Sequence, residues 1–164
     1  MEVTDRKNVG LHFFKPEHLD TLLQFHLPDE QKKFTGMPSD ILKTTLEDSE
    51  RYPVVITGGD KPVGFFVLHK GVGILPFTSN KDAILLRAFS IDLNAQGQGF
   101  GKKSMQLLPA FVRENFSFIN EIVLAVNMKN KAAKALYEKV GFVDRGAKRE
   151  GSIGLQHILH YDLA

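Results

Sequence analysis

The chain has 164 residues, 43% hydrophobic and 24% charged, with 21 Lys and Arg against 19 Asp and Glu for a formal net charge of +2. That length suits one domain, residues 1–164, able to bury about 70% of its unfolded surface, and the balanced charge gives nucleic-acid binding no compositional support. With no cysteine in the chain, a disulfide framework, a thiolate metal site and acyl transfer through an acyl-cysteine are excluded.

In chain order, residues 9–14 read as a first strand, and Pro16 at a helix N1 position starts a helix carrying Leu19, Leu22 and Leu23. Residues 28–36 form a break with room for one short helical turn, and Ser39 is the N-cap candidate for a helix over 40–48. Residues 52–57 and 63–69 are strands joined through Gly58-Gly59-Asp60-Lys61-Pro62, a hairpin signal. A loop over 71–81 leads into the apolar strand 83–91. A helix over 102–115 follows, in which Pro109 predicts a kink or a division near Leu108. Residues 122–126 are a short buried strand and 131–140 a helix with Ala133, Leu136 and Val140 on one stripe and Gly141 at its C-terminal cap. Residues 143–148 and 156–163 close the sheet as an antiparallel pair. No apolar run approaches the roughly eighteen residues of a membrane span, and residues 1–10 are too polar for a signal peptide, so the expectation is a soluble, cytoplasmic protein.

The passage Gln96-Gly97-Gln98-Gly99-Phe100-Gly101 links the strand 83–91 to the following helix. A strand, a glycine-rich turn and a helix N-terminus together bind phosphate, because the first helical amides have no internal partner and carry the positive end of the helix dipole. The Walker pattern fails: only three residues separate Gly97 from Gly101, and Lys102 is followed by Lys103. The dinucleotide fingerprint G-x-G-x-x-G also fails, since its third glycine falls on Lys102. What fits is Q-x-x-G-x-G, as Gln96, Gly99 and Gly101.

This motif resembles the acetyl-CoA signature of the GNAT superfamily of N-acetyltransferases. The later segment of strand, asparagine, helix with Ala135-Leu136-Tyr137-Glu138-Lys139, then Gly141-Phe142 is similar to that superfamily's closing segment, in the same order. The resemblance implies an α/β (α+β) GNAT fold: a mixed, mostly antiparallel twisted sheet flanked by helices, with splayed strands forming the acetyl-CoA slot. It further implies that Phe89, Ser90 and Ile91 lie along the pantetheine arm. The amides of Gln96, Gly97, Gln98, Gly99, Phe100, Gly101 and Lys102 would hold the pyrophosphate, glycine being required where a Cβ obstructs or φ is positive. Asn127 resembles the position that contacts the cofactor's amide arm, with helix capping as its other role; Asn130 is a capping residue near the cofactor. Lys102, Lys103, Lys129 and Lys134 are candidates for the nucleotide phosphates.

Tyr137 resembles the tyrosine that protonates the departing thiolate. The general base is left among Asp92, Ser90, His69 and a water, and a backbone N–H near Ile91 is the expected oxyanion donor. The implied co-substrate is acetyl-CoA, with no metal; the implied reaction is direct acetyl transfer to a primary amine, of a small molecule first and of a protein or peptide second. A non-catalytic acyl-CoA sensor and a nucleotide-phosphate binder are the alternatives of other classes. Asp29, Glu30, Glu47, Asp48 and Glu50, on the segments expected to shape the acceptor site with the loop 71–81, suggest a cationic amine or polyamine. Neither nucleic acid nor membrane is expected as a partner, and a homodimer is compatible with everything above.

Overall fold

A computed structural model describes residues 8–164. One seven-stranded sheet runs β1 (Val9–Phe13), β2 (Arg51–Gly58), β3 (Lys61–His69), β4 (Ala83–Ile91), β5 (Glu121–Asn127), β6 (Val143–Gly151) and β7 (Gly154–Asp162), in the spatial order β1-β2-β3-β4-β5-β7-β6. Every neighbouring pair is antiparallel except β4 and β5, which are parallel. A parallel pair needs a crossover, and the helix α4 (Phe100–Asn115) supplies it. The remaining helices are α1 (Leu19–Leu23), α2 (Asp29–Lys32), α3 (Pro38–Leu46) and α5 (Lys131–Lys139).

Alternation along the strands divides the core between the two faces. On one face Val54, Ile56, Phe66, Leu86 and Leu124 pack with Phe100, Met105, Leu108 and Val112 of α4 and Tyr137 of α5. On the other, Val55, Phe65 and Val67 are covered by Leu22, Phe25 and Leu42, while Leu85, Val123 and Ile158 pack with Ile74.

Two departures from a regular sheet create the site. The β3–β4 register passes from Val67↔Arg87 to Phe65↔Ser90, so Ala88 and Phe89 together face Phe66. This is a β-bulge, and Ala88 at φ 59° is the one non-glycine residue with positive φ among the described residues. Meanwhile the β4–β5 ladder runs only from Ala83↔Glu121 to Leu86↔Leu124. Beyond that point β4 stays paired to β3 as far as Ile91, and β5 to β7 as far as Asn127. Each strand follows its outer partner, and a wedge opens between them.

Three local expectations are corrected. α3 starts at Pro38 with Met37 as its N-cap residue, so Ser39 lies inside the first turn: proline's fixed φ suits N1 and needs no hydroxyl cap. α4 begins at Phe100, its N-cap being Gly99 in the left-handed region at φ 84°. Pro109 does not divide α4, because Leu108, Pro109 and Val112 are buried together against the sheet and tertiary packing outweighs the lost hydrogen bond.

Candidate functional site

The wedge is the mouth of a cavity of about 580 Å³, walled by Leu86–Ile91 of β4, Leu124–Asn127 of β5, the glycine turn, the inner side of α5 and the tip of the β6–β7 hairpin. That volume suits a cofactor-sized ligand.

At the carboxyl end of β4 the chain makes a 3₁₀ turn over Leu93–Ala95 and then enters the glycine passage. Gly97 and Gly99 have φ of 77° and 84°, and a Cβ at either would meet no other atom within 4 Å, so backbone conformation and not crowding demands glycine there. Gly101 differs: its φ is ordinary, and a Cβ would make only ordinary contacts, with Leu136 and Phe89 at 3.6 Å and Ile91 at 3.9 Å. It lines the cavity beside Lys102 at the N-terminus of α4, where the first helical amides lack internal acceptors. The Gln96 side chain fastens this turn, donating through Nε2 to the Ile91 carbonyl and to Gln31 Oε1, both at 2.9 Å, while Gln31 Nε2 donates back at 3.2 Å. Gln98 alone among the expected turn residues is not part of the cavity wall; its amide donates to the Asn94 carbonyl at 3.3 Å.

On the strands, Phe89, Ser90 and Ile91 all line the cavity. Ser90 Oγ is buried without a hydrogen-bond partner among the described residues, as is Thr35 Oγ1, another cavity residue. Asn127 is buried, and both ends of its amide are engaged: Oδ1 accepts from the Lys129 N–H at 2.9 Å and Nδ2 donates to the Ile153 carbonyl at 3.2 Å. It therefore terminates β5 and ties down the β6–β7 hairpin while facing the cavity. Asn130 caps α5, accepting from the Ala133 N–H at 3.3 Å.

Tyr137 stands on the cavity wall from α5, 8% exposed, its ring edge-on to Phe89 at 6.1 Å and to Phe142 at 5.8 Å. Burial pushes its hydroxyl well above the ordinary tyrosine pKa. It stays a neutral O–H donor throughout the physiological range.

The three base candidates separate. Asp92 Oδ1 accepts the His26 N–H at 2.8 Å, and the Leu93 N–H donates to the His26 carbonyl at 2.8 Å, so Asp92 clasps the segment after α1 to the turn after β4. His69 is buried, with Nδ1 3.1 Å from Arg87 Nη1. Neither residue lines the cavity; Ser90 does. Of the four candidate lysines only Lys102 is on the wall, and Lys134 is held by Asp144 at 3.1 Å.

The acidic residues of the N-terminal helices do not reach the cavity. Asp29 pairs with Lys32, Asp48 with Arg51, and Glu50 with Lys70. The loop 71–81 is absent from the wall too, whereas Gln31, Lys33, Phe34 and Thr35 contribute to it, as do Ser152, Ile153 and Gln156 from the hairpin. The hairpin residues and Arg87 are additions to the expected set. Arginine within the apolar run Ile84-Leu85-Leu86-Arg87-Ala88-Phe89 is the available signal, since a charge in a buried strand requires a reason.

The family model for the acetyltransferase (GNAT) family matches residues 18–142. An uncharacterised N-acetyltransferase of Bacillus subtilis strain 168, YbbJ, is 46% identical over 158 residues, spanning 96% of this chain and 99% of that protein. Among solved structures, aminoglycoside acetyltransferase AAC(6')-Ib in complex with coenzyme A superposes with a TM-score of 0.77 at 16% identity, covering 94% of this chain and 95% of the other. Spermidine N-acetyltransferase from Vibrio cholerae, with CoA and spermine, gives 0.72 at 15% identity, covering 96% and 97%.

Proposed function

The chain belongs to the GNAT family of acetyltransferases, and on that premise we propose that it moves the acetyl group of acetyl-CoA onto the primary amine of a small molecule, with the cofactor in the wedge between β4 and β5. The observation that carries this reading is the wedge itself: a parallel pair that stops at Leu86 and Leu124 directly above a glycine turn and a helix N-terminus.

The residues present fit the cofactor. Backbone amides at Gly99, Phe100, Gly101 and Lys102 form an anion seat for the pyrophosphate, and charge-assisted hydrogen bonds of this kind contribute about 1.5–3 kcal/mol each. The buried orphan hydroxyls of Ser90 and Thr35 offer hydrogen bonds to an amide-bearing arm running between the strands. Gly101, without a Cβ, leaves room at the seat. The similar structures that hold CoA with spermine or with kanamycin support a small amine as acceptor.

Acetyl-CoA supplies an activated carbonyl: a bond forms from the amine nitrogen to that carbon, the carbon–sulfur bond breaks, and two protons must be managed. The substrate ammonium loses one to solvent before attack, and the one that the new amide nitrogen loses balances the proton taken up by the departing thiolate. Ser90 Oγ positions a water that accepts the first, since it is the only base candidate on the cavity wall. The bulge sets two residues, Ala88 and Phe89, against Phe66, and a backbone N–H of the stretch that follows it, near Ile91, serves the carbonyl oxygen as charge develops. Tyr137 donates its hydroxyl proton, or a hydrogen bond from it, to the departing sulfur.

Thiol release from acetyl-CoA, followed across polyamines, aminoglycosides, amino acids and peptides with a thermal-shift control for CoA binding, tests the reading. Turnover with a small amine is expected. CoA binding without turnover on any of them means a sensor module, and stabilisation by ATP in preference to CoA rejects the cofactor assignment.

A further inference from the structure

We propose that the amine acceptor also carries a carboxylate, held by Arg87 at the closed end of the wedge. This rests on the acetyl-transfer reading above and narrows it to a substrate class.

Among the described residues no aspartate or glutamate lines the cavity; its charged residues are Lys33, Arg87 and Lys102, all cationic. A polyamine or aminoglycoside would bring several ammonium groups into a chamber that offers no counter-charge. Lys102 sits at the glycine turn with the phosphate seat. Arg87 does not: it is the residue just before the bulge, four positions ahead of Ile91, about 13 Å of strand from the mouth of the wedge. A pantetheine arm running from the glycine turn between the strands would carry the acetyl group towards this end of the cavity, where Arg87 lies next to the last ladder pair Leu86↔Leu124.

Arg87 is half-buried and forms no ion pair among the described residues. Its polar partner is His69 Nδ1 at 3.1 Å, and its guanidinium lies 6.0 Å from the Phe77 ring centroid. Arginine is donor-only, so Nδ1 must accept, which puts the imidazole proton on Nε2 and keeps the ring neutral. The ring is tightly seated, because a Cβ on Gly73 would come within 2.5 Å of Nε2. The Arg149 guanidinium is 4.2 Å from the centroid of the same Phe77 ring and donates to Gln156 Oε1 at 2.8 Å. Arg51 is already neutralised by Asp48 at 3.2 Å. Two arginines thus converge on one phenylalanine without a carboxylate between them.

A half-buried guanidinium with one hydrogen bond keeps most of its five N–H donors free, in the fork geometry that takes a carboxylate through two parallel bonds. Burial and the charges of Arg51 and Arg149 already hold Arg87 below its ordinary pKa. An anionic group relieves that crowding, whereas a second cation adds to it. Gln156, on the wall and oriented by Arg149, offers its amide beside the carboxylate.

The test measures CoA release with saturating acetyl-CoA for amino acids, for their carboxamides, which keep the amine and lose the charge, and for spermidine and kanamycin. The acids are expected to exceed their amides in kcat/KM by about tenfold or more, mainly through KM. Arg87→Gln collapses that acid-to-amide ratio towards one, and Arg87→Lys restores part of it. Equal wild-type rates for acid and amide, a preference for spermidine or kanamycin, or a ratio that survives Arg87→Gln overturns the proposal. Because the wild-type comparison needs no variant, a misfolded Arg87→Gln leaves the test intact. Calorimetric binding of acid and amide to the CoA-saturated protein separates the two readings. Absence of turnover with every amine defeats the acetyl-transfer reading, while preferential binding of the acid still supports the carboxylate site and equal binding rejects it.

Discussion

Replacing Tyr137 by Phe removes one oxygen atom and leaves a ring of the same shape against Phe89 and Phe142. The fold should therefore tolerate it, and the change in rate reads the hydroxyl alone. An ordinary tyrosine pKa near 10 and a thiol near 8.5 make proton transfer to the thiolate uphill by about 2 kcal/mol. Burial raises the Tyr137 pKa further and widens that gap unless the wedge raises the thiol as well. A strong hydrogen bond to the developing thiolate is then the main contribution, and such bonds to charged groups are worth about 1.5–3 kcal/mol, or roughly tenfold to a hundredfold in rate. The assay is CoA release at saturating amine and acetyl-CoA, together with CoA affinity by calorimetry. Tyr137→Phe is expected to lower kcat by that factor with CoA affinity retained. The ratio of wild-type to variant rates should stay constant from pH 7 to about 9.5, because the hydroxyl does not ionise there. An unchanged kcat, or a loss of CoA affinity equal to the loss of rate, refutes the assignment.

The raised Tyr137 pKa also bears on stability: its contribution is fully present below about pH 10 and is lost as pH climbs beyond it, so Tyr137→Phe should flatten the alkaline limb of a Tm–pH curve. His69 has the opposite sign. Burial first, then Arg51 and Arg87, hold its pKa below the ordinary value, so the unfolded chain takes up the proton first and stability declines as pH falls below about 6.5. His69→Asn, which keeps an acceptor near Arg87, should make that decline shallower in thermal melts; an identical slope contradicts the neutral imidazole. Gly99→Ala forces a left-handed alanine at a cost of about 1–2 kcal/mol, lowering Tm by roughly 2–8 °C and weakening CoA binding. Gly101→Ala, at an ordinary φ, should weaken CoA binding with little change in Tm. Lys102→Ala should weaken CoA binding several-fold, an effect that shrinks as salt is raised, while Lys103→Ala has much less effect.

The parts of the site legible in the sequence are those made by neighbours in the chain. Strand, glycine turn and helix over 83–115 are consecutive, and the positive φ at Gly97 and Gly99 is a local demand that residue type reveals. The same holds for β5, the Asn130 cap and α5, where the apolar stripe already points Tyr137 inward. What stays hidden depends on long-range pairing. β7 inserts between β5 and β6, which brings Ser152, Ile153 and Gln156 to the cavity from a hairpin that reads as an ordinary sheet closure. The Arg87–His69 contact joins residues 18 apart in sequence across two strands, and register alone decides that the two side chains share a face. The acidic residues on and after the N-terminal helices mislead for a different reason: their count suggests a cationic ligand, but Asp29 and Asp48 pair with Lys32 and Arg51 three residues further on, and Glu50 with Lys70 at the far end of the β2–β3 hairpin.

Cofactor binding in the wedge is tested most directly by titrating the isotope-labelled protein with CoA and following backbone amide chemical shifts. The largest shifts are expected at Gly97, Gly99, Phe100, Gly101 and Lys102, with a second group at Ala88–Ile91 and Asn127. Shifts centred instead on the groove between His12, Lys15 and Asp60, or none at saturating CoA, would contradict it.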